Sequence, residues 1–497
     1  MSATNDKKIV INKRLKGMPR EALEKLTQTE LIDKVVQLEA YNFQLRNLLQ
    51  KKLTEQDKLG EYSVLFGNEA EDRVTQVPKT SSKVQKQRKF DWSSAHKRHV
   101  LLKITYFGWD YQGFACQEDS NDTIEANLFR ALTRTCLIES RATSNYHRCG
   151  RTDKEVSAFC QVISIDLRSK HPPESQLDPT AFSTEIDYCG LLNRVLPKNI
   201  QCVAWMPLRS PVYSARFDCV SRSYRYYFPK GDLDINAMSQ ACDLLVRHAD
   251  FRNFCKMDVH NGVTNYMRNL QSARVEACNE NHNNSGYDMY YLEIQANAFL
   301  WHQIRCIMAV LLLVGQKKEQ TPPISKMLDV GANPCKPQYT PAIGLPLNLF
   351  RCDFRDQTTR SVNQPGSGDA NEEPMDTVTE ETDNINAPEH SERDLTTWIY
   401  NEENLQKLIE NTQCEWTQFS VKSTMIRNVL QQLEALLEEN FKPKEKVQAQ
   451  VILLQDSVKP RQYQPLLERK RCESLENRIE HFVKKQRLIV KNDTETV

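Results

Sequence analysis

What the 497-residue sequence lacks sets the first limits. None of its 15 cysteines lies within four residues of another, so there is no CxxC or CxxxxC knuckle of the kind that closes a structural zinc site. The thiols read instead as reduced, small, buried hydrophobes, and no metal is implied. The longest wholly apolar run, Cys306 to Val314, falls well short of the roughly 20 residues a membrane helix needs. Met1 to Arg14 has no apolar signal-peptide core, and no repeat occurs at solenoid periods. These absences lead to the expectation of a soluble chain kept in the nucleus or the cytoplasm, without a membrane partner. Charge of one sign is scarce too: 66 Lys and Arg face 65 Asp and Glu, a net +1, which on its face argues against a polyanionic partner. That balance averages unlike parts. Residues 366–392 hold nine acids (Asp369, Glu372, Glu373, Asp376, Glu380, Glu381, Asp383, Glu389, Glu392) and no Lys or Arg, so elsewhere 66 bases face 56 acids.

Composition and periodicity divide what is present into five segments. Residues 1–60 carry Thr27 and Glu30 in capping-box spacing, then Leu31, Val35, Leu38, Asn42, Leu45 and Leu49 at heptad spacing. This pattern predicts a short coiled coil, or else a helix docked on its own protein. Residues 61–98 form a polar linker whose end is basic (Lys79, Lys83, Lys86, Arg88, Lys89, Lys97, Arg98), suited to solvent or to a polyanion. Residues 99–356 have globular composition. Residues 357–396, inside an aromatic-free stretch from Phe354 to Trp398, have little to bury and read as disordered. Residues 397–497 regain helical periodicity (Ile426, Leu430, Leu433, Leu436, Leu437) and end in basic clusters at Arg469-Lys470-Arg471 and Lys484-Lys485-Gln486-Arg487.

Within the globular segment, alternation predicts strands at Val100–Tyr106, Phe159–Asp166, Ile200–Trp205, Val220–Phe228, Gln271–Ala277 and Tyr290–Ala296. Helices are predicted at Ile235–Val246, at Gln303–Val314 and after Asp122, which with Glu125 reads as the cap of a helix bearing Ile124, Leu128 and Leu132. Strict βαβ alternation is missing, which favours α+β with a mostly antiparallel sheet.

Three stretches carry candidate chemistry. Arg148-Cys149-Gly150-Arg151-Thr152-Asp153-Lys154-Glu155 surrounds a carboxylate with Arg148, Arg151 and Lys154. Such neighbours would lower the Asp153 pKa, and Arg151 could bind it bidentately. Taken alone, the stretch is equally a charged turn. In the second, Ser221 to Phe228, Arg222, Tyr224, Tyr226 and Phe228 fall on one strand face, which suits either stacked bases or a packed sheet. The third, Asn297 to Arg305, places Arg305 in the first turn of an apolar helix, where dipole and burial both call for an anionic partner. His302 reads as a structural histidine or a switch.

Gly150-Arg151-Thr152-Asp153, the Ala215-Arg216-Phe217 and Tyr224-Arg225-Tyr226 pair, and Phe299 to Arg305 together resemble the TruA family of tRNA pseudouridine synthases over about residues 98–355. Asp250 to Asp258, Arg148-Cys149, and the tail stretches Tyr463 to Leu467 and Cys472 to Glu476 are most similar to eukaryotic members. The resemblance implies two similar ferredoxin-like halves meeting near residue 230, a central basic cleft, and a homodimer. It implies cofactor-free isomerisation of uridine at positions 38 and 39 of the tRNA anticodon stem-loop, on a base flipped out of its stack. Asp153 would be the catalytic carboxylate, Arg151 its holder, Tyr224 the tyrosine that stacks on the base, and Arg305 the arginine beside the aspartate. Arg222, Arg148 and His302 would join Tyr224 in contacting substrate. A non-catalytic tRNA-binding or chaperone protein on the same fold is the alternative. One departure stands out: the family continues Thr-Asp-x-Gly, whereas this chain has Glu155. If that position needs a positive φ, a glutamate there is strained by about 1 kcal/mol or more.

Overall fold

The computed structural model describes residues 8–11, 90–117, 122–279, 285–357, 398–441, 443, 447–455, 462–485 and 488–491. The heptads from Leu31 to Leu49, the basic run through Lys89 and the acidic residues 366–392 lie outside the described residues. Strand β1 (Lys8–Ile11) pairs antiparallel with Leu488–Lys491 as a ribbon of its own.

The globular segment is mixed α+β, as its patterns predict. Its strands are β2 (His96–Tyr106), β3 (His147–Arg148), β4 (Ser157–Ser169), β5 (Ile200–Pro207), β6 (Cys219–Pro229), β7 (His248–Asp250), β8 (Met267–Ala277), β9 (Met289–Ala296) and β10 (Leu347–Phe354). They form one sheet in the order β5-β2-β4-β10-β6-β9-β8-β7, with β3 added on β4. Alternation explains most of them: Val100, Leu102, Ile104 and Tyr106 are all buried on β2, as are Tyr224, Tyr226 and Phe228 on β6.

Three strands of the sheet, the short β3 and β7 and the longer β10, were announced by no sequence pattern, and β10 lies at the centre. It runs parallel to β4, with Asn348 opposite Ser157 and Leu349 opposite Ala158. On its other side it runs antiparallel to β6, with Leu349 opposite Tyr224 and Cys352 opposite Arg222. Every other pairing among the described strands is antiparallel.

Helix α1 (Ile124–Arg134) buries Ile124, Leu128 and Leu132 at helical spacing. Its cap corrects the sequence reading. Thr123, one residue past Asp122, takes the N-cap, its side chain accepting from the Ala126 N–H at 3.2 Å. Glu125 is then free to turn inward. The short helices α2 (Pro179–Thr184) and α3 (Tyr188–Asn193) precede β5. Helix α4 (Ile235–Asp243) packs on α5 (Gln303–Gly315), whose interior is apolar all round and almost wholly buried. α6 (Pro322–Leu328) follows.

A second correction falls at the edge of the basic linker. β2 begins at His96, and Arg98 is buried, paired with Glu185 at 3.0 Å and donating to the Gln176 carbonyl at 2.5 Å. It is therefore part of the fold and not of an electrostatic arm. In the tail, α7 (Glu402–Phe441) is tethered at its start, where Asn404 accepts from the Asn193 amide and donates to the Cys202 carbonyl. α8 (Leu475–Lys484) closes the described helices. Arg471, from the first basic cluster, donates to the carbonyls of Leu467 and Cys335 and so helps fasten the tail to the domain.

Candidate active site

Asp153 sits on the loop between β3 and β4, and two glycine-bearing turns leave room for that loop. A Cβ on Gly108 would lie 2.0 Å from the Val156 carbonyl oxygen, and Gly113, at φ +97°, passes close to the Thr152 carbonyl. Thr152 is buried, its hydroxyl hydrogen-bonded to Tyr106 Oη at 2.8 Å and its carbonyl accepting from the Phe114 N–H at 3.1 Å. Asp153 is thus presented by a loop fixed on both sides.

Its partners come from the start of α5. Arg305 Nη1 lies 3.6 Å and His302 Nε2 3.5 Å from Asp153 Oδ2. Arg305 Nη1 and His302 Nε2 are 3.1 Å apart, and Arg305 Nε donates to the Ala342 carbonyl at 2.7 Å. Because Arg305 can only donate, His302 Nε2 is the acceptor and the imidazole carries its proton on Nδ1. Burial first, then Arg305, Lys256 and Lys336, push the His302 pKa down to about 4, so the ring is neutral at physiological pH. Next to it, Lys256 Nζ lies 4.2 Å from the centre of the Trp301 ring, and the Lys256 backbone N–H donates to the Trp301 carbonyl at 2.9 Å.

The Asp153 pKa moves in the direction opposite to the sequence expectation. Burial raises it, and Arg305, Trp301 and Lys256 offset that only in part. The result is a half-buried carboxylate with one guanidinium facing it.

A family model described as tRNA pseudouridine synthase matches residues 241–355. The Homo sapiens tRNA pseudouridine(38/39) synthase is 40% identical over 424 residues, covering 81% of this chain and 80% of that one. The chain belongs to the TruA-type family of tRNA pseudouridine synthases. The tRNA pseudouridine(38/39) synthase of Saccharomyces cerevisiae is 39% identical over 287 residues, 57% of this chain and 63% of its own. The tRNA pseudouridine synthase A of Methanosarcina acetivorans is 30% identical over 217 residues, 44% and 70% of the two chains.

In this pseudouridine synthase the structure brings some of the expected site residues together and sends others elsewhere. Asp153, Arg305 and His302 converge. Arg151 is exposed and makes no ion pair with Asp153, so the bidentate clasp expected of it is replaced by the Arg305 contact. Arg148 is also withdrawn: it is paired with Glu125, whose side chain is fully buried on α1. Lys154 lies 3.8 Å from Glu155.

Arg222, expected to touch substrate, is engaged by four carbonyls. Its Nε donates to Cys149 at 3.0 Å, Nη1 to Cys219 at 3.3 Å and to Asn297, and Nη2 to Arg216 at 3.3 Å. One guanidinium therefore ties the loop before Gly150, the Ala-Arg-Phe stretch and the first residue of the third motif. Lysine offers a single nitrogen and cannot span those acceptors. Arg222→Lys is expected to lower kcat about 10²-fold through misplacement of the loops, with a smaller change in KM, read by steady-state kinetics.

Tyr224 is buried, its ring edge-on to Phe299 with centroids 5.3 Å apart, and its hydroxyl 3.8 Å from where a Cβ on Gly150 would lie. Burial first, then the Cys352 and Cys149 thiols, push its phenol well above the ordinary value. It is a protonated donor and a flat surface, not a ready base. Tyr226 and Phe228, on the same strand face, are core: Tyr226 Oη donates to the Ile343 carbonyl at 3.0 Å and Phe228 is fully buried.

Glu155 stands at φ +67°, the left-handed conformation that made its presence notable. Its N–H is fixed on the Tyr111 carbonyl at 3.1 Å. Glu155→Gly is expected to raise stability by about 1 kcal/mol, measured as a higher melting temperature with activity retained.

Sequence reasoning missed Glu125, Trp301 and Lys256 as parts of the site. Glu125 had a usable signal: an acid beside the apolar positions of an amphipathic helix needs a cation, and Arg148 and Arg151 were more cations than one aspartate requires. Lys256 lies in a stretch noted only for its family likeness, far in sequence from the Asp153 loop.

Proposed function

We propose that the chain isomerises uridine to pseudouridine at positions 38 and 39 of the tRNA anticodon stem-loop, with Asp153 as the catalytic carboxylate. The N1–C1′ bond breaks, the uracil turns, C5 bonds to C1′, and the proton on C5 is lost as N1 gains one. The observation that carries this reading is the half-buried Asp153 carboxylate held 3.6 Å from Arg305 and 3.5 Å from His302. Partial burial makes the oxygens more basic, and the guanidinium favours the anion that the reaction uses. Tyr224 supplies a flat face for the turning base, and Arg151, exposed without an Asp153 clasp, supplies a cation for the displaced nucleotide. His302, neutral, holds Arg305 in place.

Around that site we read two like halves, β5-β2-β4 and β6-β9-β8, meeting at β10 across a basic cleft that takes the tRNA by shape and phosphate contacts. The heptads from Leu31 to Leu49 support a coiled coil and a homodimer. The enzyme would act in the nucleus or the cytoplasm.

Purified protein incubated with transcribed tRNA should yield pseudouridine at 38 and 39 when the product is mapped base by base. Transcripts left unmodified at both positions would refute the assignment.

A further inference from the structure

Four cysteines distant in sequence meet behind the Asp153 loop. Cys149 directly precedes Gly150-Arg151-Thr152-Asp153, Cys160 lies on β4, Cys219 opens β6, and Cys352 lies on β10 opposite Arg222. The sulfurs of Cys149 and Cys352 are 3.4 Å apart although 203 residues separate them in the chain. Cys352 also donates to the Cys160 carbonyl at 3.3 Å. All four are free thiols. A zinc or iron cage is not what they form, because among the described residues no three His, Cys, Asp or Glu are arranged to hold a metal ion. The close pair is arranged for a different chemistry. A disulfide has an S–S length of about 2.0 Å, so Cys149 and Cys352 stand roughly 1.4 Å from bonding while the strand order stays intact.

We propose that Cys149 and Cys352 are an oxidative modification site: a peroxide closes them into a disulfide, which shifts the Asp153 loop and suspends catalysis. Both start as neutral thiols: burial pushes Cys149 up, and hydrogen bonds with Cys149, Cys160 and Cys219 push Cys352 up. Cys352 Sγ attacks one peroxide oxygen and breaks the O–O bond while its thiol proton passes to the departing oxygen, giving a sulfenic acid and one water. Cys149 Sγ then attacks the Cys352 sulfur; the S–S bond forms, the S–OH bond breaks, and the thiol proton leaves with the hydroxyl as water. Two thiols are oxidised, one peroxide is reduced, and two waters result.

The consequence follows from where Cys149 is anchored. Its N–H is bonded to the Val162 carbonyl at 2.9 Å, its sulfur donates to Gln161 Oε1 at 2.9 Å, and its carbonyl accepts from Arg222 at 3.0 Å. Drawing the sulfur toward β10 breaks the Gln161 contact and strains the Arg222 contact. Gly150, the next residue, faces Tyr224 Oη, so the shift passes directly into the loop that presents Asp153.

The test uses the full-length enzyme, reduced and then exposed to hydrogen peroxide. Mass spectrometry should find the Cys149 and Cys352 peptides linked. The rate of pseudouridine formation should fall about 10²-fold, and dithiothreitol should reverse both changes. Cys352→Ala and Cys352→Ser should each keep the untreated rate and hold it after peroxide. The proposal is overturned by absence of the linked peptide, by a linked peptide with an unchanged rate, or by equal inactivation of the Cys352 variants. The inactivation arm rests on the proposed activity, whereas the linked peptide does not. An untreated enzyme that makes no pseudouridine refutes that activity, and the peptide result still decides the modification site.

Discussion

Asp153→Asn should remove pseudouridine formation by more than about 10⁴-fold, the size of loss seen when a residue acting within a catalytic unit is deleted, while tRNA binding stays nearly intact. Single-turnover kinetics on transcribed tRNA, with binding measured in parallel, separate the two effects. A non-catalytic tRNA-binding protein on the same fold would show no change at all. The same variant should melt a few degrees higher at neutral pH. Burial raises the Asp153 pKa in the folded protein above its ordinary value of 3.8, so the ionised carboxylate costs folding free energy wherever the pH lies above that raised value. As the pH falls through it, wild type protonates and the cost disappears, so the stability gap between wild type and variant should close in that acid window. Activity should fail in the same window and in the same direction, because the working species is the carboxylate. A variant less stable than wild type at pH 7 would mean that Arg305, left without its anion, outweighs the relief from burial.

Glu125→Ala is the substitution expected to damage the fold most. The Glu125 carboxylate is fully buried and accepts from Arg148, from Tyr146 Oη at 2.7 Å, from Arg141 at 3.0 Å and from the Cys116 N–H at 2.8 Å. Removing one partner of a buried ion pair leaves the other uncompensated, at a cost of about 3–5 kcal/mol, which lowers the melting temperature by roughly 10 °C in a chain of this size. Burial alone would raise the Glu125 pKa, but Arg148, the Cys116 N–H, Tyr146 and Arg141 together hold it below the ordinary 4.5. Its stabilisation is therefore fully present above that value and is lost as the pH falls through the lower, folded one. Thermal melts of wild type and variant should differ most at neutral pH and converge in strong acid. A difference that persisted unchanged into strong acid would show that the charge plays no part. Because Arg148 adjoins Cys149 and Gly150, the variant should also lose activity at temperatures where it is still folded.

The strands and helices of the globular segment were legible because each buries one face, and period two or period 3.6 exposes that choice in the residue order. β10 was not: Leu347 and Leu349 are too short an alternation to stand out, and the strand owes its existence to the edges of β4 and β6 on either side of it. Within the site, Asp153 and Arg305 could be paired from chemistry, since a cation in the first turn of a buried helix needs an anion. Charge next to Asp153 in sequence was a poor guide to charge next to it in space. Arg148 turns to Glu125, Lys154 to Glu155 and Arg151 to solvent, and the first of those destinations is not visible until α1 is folded against the loop.

The central position of β10 also bears on how a ribosome can make this enzyme. The edges of β4 and β6 are open hydrogen-bonding templates until residues 347–354 emerge, almost two hundred residues after β4 is complete. Nascent chains must carry both edges unpaired through that interval, when strand-to-strand aggregation is the hazard. A message cut short before Leu347 would yield two unjoined sheet fragments that cannot set Asp153 against its neighbours, so truncated products should appear as insoluble material and not as a slower enzyme.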